Sequence, residues 1–161
     1  MKYDNVFLGL GSNISDRKKN IETALEFIKQ NNKIKIVKSS SIYESSPWGY
    51  KNQENFYNQI IQIETNLEPY ELLVFVKSIE KTMGRQTDIK WGPRNIDIDI
   101  LIFSDIMIKG DFLNIPHRYL LNRCFWLVGL DELDDKLSIF GKSVRVLLER
   151  EQDRDLIKIV C

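Results

Sequence analysis

From Asn95 to Phe103 the chain reads NIDIDILIF, and no other stretch restricts the fold so tightly. Strand side chains point alternately to opposite faces. The alternation therefore predicts a strand with Ile96, Ile98, Ile100 and Ile102 on one face and Asn95, Asp97, Asp99 and Leu101 on the other. The isoleucine face needs a core to cover it. The other face sets two carboxylates roughly 7 Å apart, in a secondary structure that disfavours Asp. At an effective dielectric of about 20 their repulsion is about 2 kcal/mol before screening. A hard divalent cation would offset it, because Mg²⁺ is commonly held by one or two carboxylates together with substrate phosphates. The competing reading is an edge strand with two solvated Asp side chains. Arg94, in the Trp91-Gly92-Pro93-Arg94 turn just ahead of the pair, favours the cation and phosphate reading.

Composition removes several classes. With 161 residues, 43% hydrophobic and 29% charged, the chain is expected to form one soluble domain, residues 1–161, with a real core. Lys plus Arg equals Asp plus Glu at 23 each, which argues against a protein built mainly to bind nucleic acid. No apolar run is long enough to span a bilayer, and the N-terminus lacks the apolar segment of a signal peptide, so no membrane partner is expected. The two cysteines, Cys124 and Cys161, make no disulfide framework, and a reducing cytoplasm fits. The single histidine, His117, cannot complete a typical Cys/His zinc site without carboxylates, and any Ser-His-Asp triad would have to use it. A metal in this chain is therefore expected to be bound by oxygen.

In chain order, Val6, Leu8 and Leu10 alternate in a first strand, Asn5 to Leu10. Gly11-Ser12-Asn13 lead into a helix from Asp16 to Gln30, with Ile21, Ala24, Leu25 and Ile28 at helical spacing and Ser15 as its N-cap. A strand, Gly-Ser-Asn and a helix can cradle a phosphate on backbone N–H groups. A plain capped turn explains them as well, and neither a Walker A loop nor a complete dinucleotide fingerprint is present. Ile34 to Tyr43 reads as a second strand, and a loop with Pro47, Trp48 and Gly49 spans 44–54. The third strand, Phe56 to Leu67, sets Phe56, Asn58, Ile60 and Gln62 on one side and Tyr57, Gln59, Ile61 and Ile63 on the other. Pro69 suits the first position of a second helix. Its stripe of Leu72, Leu73, Val76, Ile79 and Met83 has Glu80 on or beside it, and Gly84 ends it. A second loop, 85–93, precedes the acid strand.

This order is βαββαβ, an α+β fold of ferredoxin-like type with helices packed on a mostly antiparallel sheet. A C-terminal extension follows. It has short strands at Ile106–Ile108 and Phe112–Ile115, a mostly helical stretch from Arg118 to Leu133, a short helix from Ser143 to Arg150, and a last strand or ordered tail over Leu156–Val160.

Gly11-Ser12-Asn13, then Trp91-Gly92-Pro93-Arg94 leading into Asp97-x-Asp99, then Pro116-His117 and Asn122-Arg123-x-Phe125 occur together and in this order. Over nearly its whole length the chain resembles the 6-hydroxymethyl-7,8-dihydropterin pyrophosphokinase family of folate biosynthesis. The resemblance implies a monomer that uses Mg²⁺-ATP as pyrophosphoryl donor and releases AMP and a pterin diphosphate. By the same resemblance Asp97 and Asp99 would hold two Mg²⁺ ions, and Arg94 and Arg85 would act on the triphosphate. Phe56 and Phe125 would sandwich the pterin, Asn58 would read its edge, and backbone groups of Ser45 and Trp48 would complete that pocket. His117 and Arg123 would contact ATP, with Ile100 near adenine and Glu80 and Lys77 on the nucleotide side. Loops 44–55 and 84–93 would close over both substrates as lids. The chain departs from the family's common pattern in a shorter, less basic loop after Gly84, with Asp88 where positive charge is expected, and in Lys77 where other members carry Gln.

Each residue also has a plainer role available: His117 capping a turn after Pro116, Phe125 in a core with Trp126, Arg94 in a surface ion pair usually contributing under about 1 kcal/mol. Two other functions share parts of the pattern. Nucleotidyltransferases pair Gly-Ser with Asp-x-Asp on a strand, but close together in sequence, whereas Ser12 and Asp97 are far apart. RNA-recognition domains share the βαββαβ order but carry an aromatic strand signature that is missing here.

Overall fold

The chain is organised around one long strand whose side chains are buried on both faces. In the computed structural model, which describes residues 1–47, 52–84, 95–151 and 157–160, this is β1 (Tyr3–Ser12). Val6, Leu8 and Leu10 enter one core and Phe7 enters a second on the opposite face. β1 pairs antiparallel with β4 (Phe56–Thr65) on one edge and β5 (Asp97–Phe103) on the other. The sheet order is β10 (Lys158–Ile159), β3 (Tyr43–Ser45), β4, β1, β5, with β2 (Ile34–Ser39) also on β4. This is the ferredoxin-like arrangement, and it leaves β5 at the sheet's edge.

The strand expected from Ile34 to Tyr43 is two pieces, both paired with β4. The break falls at Ser40, whose N–H donates to the Ile60 carbonyl (2.8 Å) while its hydroxyl accepts the Ile60 N–H (2.9 Å). A side chain there replaces the backbone acceptor of a ladder, so β4 stays satisfied across the gap. Glu44 and Ser45, read as the start of a loop, belong to β3.

Helices α1 (Arg17–Lys29) and α2 (Pro69–Thr82) cover one face through Ile21, Ala24, Ile28, Leu72, Val76 and Ile79. The N-cap of α1 is Asp16 rather than Ser15. The Asp16 carboxylate accepts the Lys19 N–H at 3.1 Å, and Ser15 has a φ of 58°, outside the extended backbone an N-cap uses. Pro69 is the first residue of α2, and Gly84, at φ 82°, follows its end as expected.

The other face is covered by α3 (Cys124–Leu133) and α4 (Val144–Glu149), chiefly through Trp126, Leu127, Leu130 and Val144. The stretch read as helix from Arg118 starts instead with a 3-10 turn at Leu120–Asn122, and α3 begins only at Cys124. β6 (Ile108–Lys109) and β7 (Asn114–Ile115) are shorter than the strands expected at Ile106–Ile108 and Phe112–Ile115, and they pair as a hairpin. β8 (Ser138–Ile139) and β9 (Lys142–Ser143) add a hairpin the sequence pattern did not signal.

The acid strand carries one correction that matters for the site. β1 residues Phe7 and Leu8 pair with Ile102 and Ile100, so Leu101 is an extra residue, a bulge in β5. Ile96, Ile98 and Ile100 stay in the core under α1 and α2 as the alternation predicts. Beyond the bulge Ile102 crosses to the core under α3, and Phe103 takes its place in the first.

Candidate active site

Gly9 and Gly11 stand two apart on β1, on its α3 side. A Cβ on Gly9 would lie 2.8 Å from Nε1 of Trp126, and one on Gly11 would lie 3.1 Å from Oδ1 of Asn58. Two glycines at strand spacing leave a strip of bare backbone where neighbours approach closely. The register then sets the chemistry around it. Gly11 is paired with Asn58 on one side and Asp97 on the other, and Gly9 with Ile60 and Asp99. Each aspartate thus stands beside a residue with no side chain. The space above is a cavity of about 360 Å³ that wraps around the β5 edge toward α2.

Ser45, Phe56, Asn58 and Phe125 line this cavity together with Asp97, Asp99, Lys77, Ile100, His117 and Arg123. These expected residues, spread over most of the chain, are brought to one place by β3, β4, β5, α2 and the start of α3. Asn58 is buried, and its amide donates to the Ser45 hydroxyl at 2.7 Å, which fixes the amide's orientation. Ser45, expected there through its backbone groups, thus meets Asn58 through its side chain.

On the other side, the His117 backbone N–H donates to the carbonyl of the bulged Leu101 (2.9 Å). Its Nδ1 accepts the Tyr119 N–H (3.1 Å), so the neutral ring carries its proton on Nε2. Nε2 lies 3.5 Å from Oδ1 of Asp99. Burial alone would raise the Asp99 carboxyl, but the His117 contact, with Lys77 and Arg123 farther off, holds it below the ordinary carboxylate range. Burial lowers the Arg123 guanidinium from its usual value, against the pull of Asp99 and Asp97. Against the partial desolvation of a side chain that stays 45% exposed, the Lys77 ammonium is held above its usual value by Glu80 and the two aspartates.

Glu80 is 2% exposed and stands behind the cavity rather than on its wall. Its Oε1 accepts the Ile98 N–H (2.8 Å) and Lys77 Nζ (3.2 Å), so it ties α2 to the strand between the two aspartates. Gly11-Ser12-Asn13 is no exposed turn. Gly11 and Ser12 lie inside β1, the Ser12 hydroxyl accepts from the Asn20 amide, and the Asn13 amide donates to Gln53 and Glu54. Trp48, Arg85 and Arg94, with all of loop 85–93 and part of loop 44–54, lie outside the described residues.

The sequence reading missed Gly9, Tyr119 and Trp126, which also line the cavity. The signal for Gly9 was present: two glycines at i and i+2 in a strand bare one face of it. Tyr119 and Trp126 carry no local signal.

Among the described residues no group of three or more His, Cys, Asp or Glu is arranged to hold a metal. Two carboxylates opening on a cavity are nonetheless a donor set that fits Mg²⁺, which takes its remaining ligands from water and substrate phosphates.

Comparison with known proteins agrees with this geometry. Residues 7–135 match the family described as 7,8-dihydro-6-hydroxymethylpterin-pyrophosphokinase. A 2-amino-4-hydroxy-6-hydroxymethyldihydropteridine pyrophosphokinase of Aquifex aeolicus is 45% identical over 156 residues, covering 97% of this chain and 95% of its own. The Bacillus subtilis protein of the same name is 39% identical over 127 residues, covering 79% of this chain and 76% of its own. In a crystal structure of Plasmodium falciparum HPPK-DHPS with pterin and p-hydroxybenzoate, the similar part has a TM-score of 0.72 at 20% identity. It covers 93% of this chain but only 42% of that longer chain, and at such identity it speaks for the fold. The chain belongs to the 7,8-dihydro-6-hydroxymethylpterin-pyrophosphokinase family, which transfers pyrophosphate from ATP to hydroxymethyldihydropterin in folate biosynthesis.

Proposed function

We propose that this transfer depends on Mg²⁺ held by Asp97 and Asp99, with two ions bound when both substrates are present. The observation that carries the reading is the register that sets Asp97 against Gly11 and Asp99 against Gly9, on the wall of the cavity. When bound, Mg²⁺ supplies charge neutralisation on the triphosphate and makes the attacking hydroxyl more acidic.

The chain's own residues do the positioning that phosphoryl transfer mostly requires. Phe56 and Phe125 bind the flat pterin between them. Asn58, its amide set by Ser45, reads the pterin edge by hydrogen bonds. His117 presents the Nε2 proton to Asp99 or to a phosphate oxygen, and Arg123 and Lys77 add fixed positive charge on the nucleotide side, with Ile100 against the base. Glu80 holds Lys77 in place. Such a site directs the hydroxymethyl oxygen to the β-phosphorus, so the leaving group is AMP.

The family resemblance further supports a monomer. No helix among the described residues is long and apolar enough to cross a membrane, and a chain with only two cysteines fits a reducing cytoplasm. Phosphorus NMR of a single turnover, with Mg²⁺ and with EDTA, tests the reading. AMP and pterin diphosphate should form only with Mg²⁺. ADP with a pterin monophosphate, or undiminished turnover in EDTA, would overturn it.

A further inference from the structure

Trp126 holds a position that none of the proposed ligand contacts explains. It is 3% exposed, and its indole lies over the bare backbone of Gly9, where a Cβ would come within 2.8 Å of Nε1. Around it stand the groups that face both substrates. The His117 ring meets the indole edge-on, with ring centres 4.7 Å apart. The Arg123 guanidinium carbon lies 4.5 Å from the indole centre, a cation–π contact. Phe125 meets it at 5.5 Å and 64°. His117 approaches from the loop after β7, Arg123 and Phe125 from the start of α3, and Gly9 from β1.

We propose that Trp126 is a positioning residue that holds His117 and Arg123 as one unit on the nucleotide side and links that unit to the pterin wall at Phe125. Gly9 is its counterpart. Only a residue without a side chain lets the indole settle against β1, so the pair works as a plug and its seat. The inference rests on the nucleotide roles assigned above to His117 and Arg123. Trp126 itself acts through those side chains. Removing the indole leaves the guanidinium and the imidazole free to take other rotamers, and the loss should fall on ATP binding before it falls on the fold.

The test compares wild type with Trp126→Phe, Trp126→Leu, Gly9→Ala and the double variant Gly9→Ala/Trp126→Leu. KM for ATP, KM for the pterin, kcat and urea stability are measured for each. Trp126→Leu should raise the ATP KM roughly tenfold. Trp126→Phe, which keeps an aromatic face, should recover most of that. Gly9→Ala should resemble Trp126→Leu, because the added methyl must displace the indole. In the Trp126→Leu background Gly9→Ala should add little, since nothing remains to displace. Additive losses in the double variant, or stability losses with the ATP KM unchanged, would overturn the inference. If Trp126→Leu does not fold, Trp126→Phe and Gly9→Ala still decide it, because a changed ATP KM at intact stability is expected of Gly9→Ala. His117→Ala and Arg123→Ala serve as controls. If they raise the ATP KM while the Trp126 and Gly9 series does not, the positioning role alone falls. If they leave it unchanged, the nucleotide assignment and this inference fall together.

Discussion

Glu80 offers the sharpest check on how the fold holds the site, because its carboxylate is 2% exposed and accepts from both the strand and α2. In Glu80→Ala the Ile98 N–H, now 2.8 Å from Oε1, loses that acceptor inside the protein. A buried donor left unsatisfied costs about 1–3 kcal/mol. The ion pair with Lys77 adds little, under about 1 kcal/mol, because the Lys77 side chain is 45% exposed. The two losses together come to about 1–4 kcal/mol, at the upper end a large share of the stability of an ordinary domain. Glu80→Gln keeps a carbonyl oxygen for Ile98 and loses only the charge, so about 1 kcal/mol is expected. Urea unfolding monitored by circular dichroism gives both values, provided the slope against denaturant is unchanged. Ile98 sits between Asp97 and Asp99, so kcat/KM should fall in the same order, Ala below Gln below wild type. An Ala variant within about 0.5 kcal/mol of wild type would refute the claim that Glu80 anchors the strand. Equal losses for Ala and Gln would show that the charge matters and the backbone acceptor does not.

Three further outcomes follow from the same geometry. Asp97→Asn and Asp99→Asn should each lower Mg²⁺-dependent turnover roughly 10²-fold or more while circular dichroism stays native, because Ile98 and Ile100 on the opposite face are untouched; near-normal turnover at low Mg²⁺ would reject the metal assignment. Phe125→Ala should raise the pterin KM roughly three- to tenfold, the scale of one aromatic stacking contact, and leave the ATP KM nearly unchanged; equal rises for both substrates would mark Phe125 as a core residue. Tyr43 donates to Oε1 of Glu132 at 2.9 Å, and burial, then Glu132, push its phenol above the ordinary 10.0. The folded protein keeps that proton where the unfolded chain loses it, so this contribution to stability is complete below pH 10 and is lost as pH rises beyond it. Urea titrations between about pH 8 and pH 11 should show a shallower alkaline decline for Tyr43→Phe than for wild type, and parallel declines would contradict the assignment.

Period and punctuation made most of the fold legible. The acid strand, the alternating third strand and the second helix between Pro69 and Gly84 all stand where their patterns lie, since each is specified by residues adjacent in sequence. What was illegible depends on contacts far apart in the chain. Ser40 breaks a strand because it meets Ile60, and no local pattern at Ser40 announces that partner. The helix read from Arg118 begins late because His117 and Tyr119 turn tightly to reach Leu101 and the cavity. At the site, the side chains proposed to do the chemistry were chosen from their types and the family pattern, and the described ones, Glu80 apart, line one cavity. The bare strip at Gly9 and Gly11, and the tryptophan seated on it, required the register of three strands.

The bulge at Leu101 shows why strict alternation could not have served this strand. On the α3 side β5 must be polar where it borders the cavity and apolar where it runs on beneath α3. Unbroken alternation would have sent Phe103 to that side and left Ile102 beneath α1 and α2. The extra residue reverses the phase. Phe103 turns into the first core, where it meets Tyr3 edge-on at 4.9 Å, and Ile102 joins Phe7 and Leu127 in the second. Bulges also bend a strand and re-aim its neighbours, and here the Leu101 carbonyl accepts the His117 N–H (2.9 Å). His117 is thereby fixed two residues along from Asp99, with Nε2 at 3.5 Å from its carboxylate. One inserted residue thus corrects the packing of both cores and anchors the single histidine of the chain beside the acid pair.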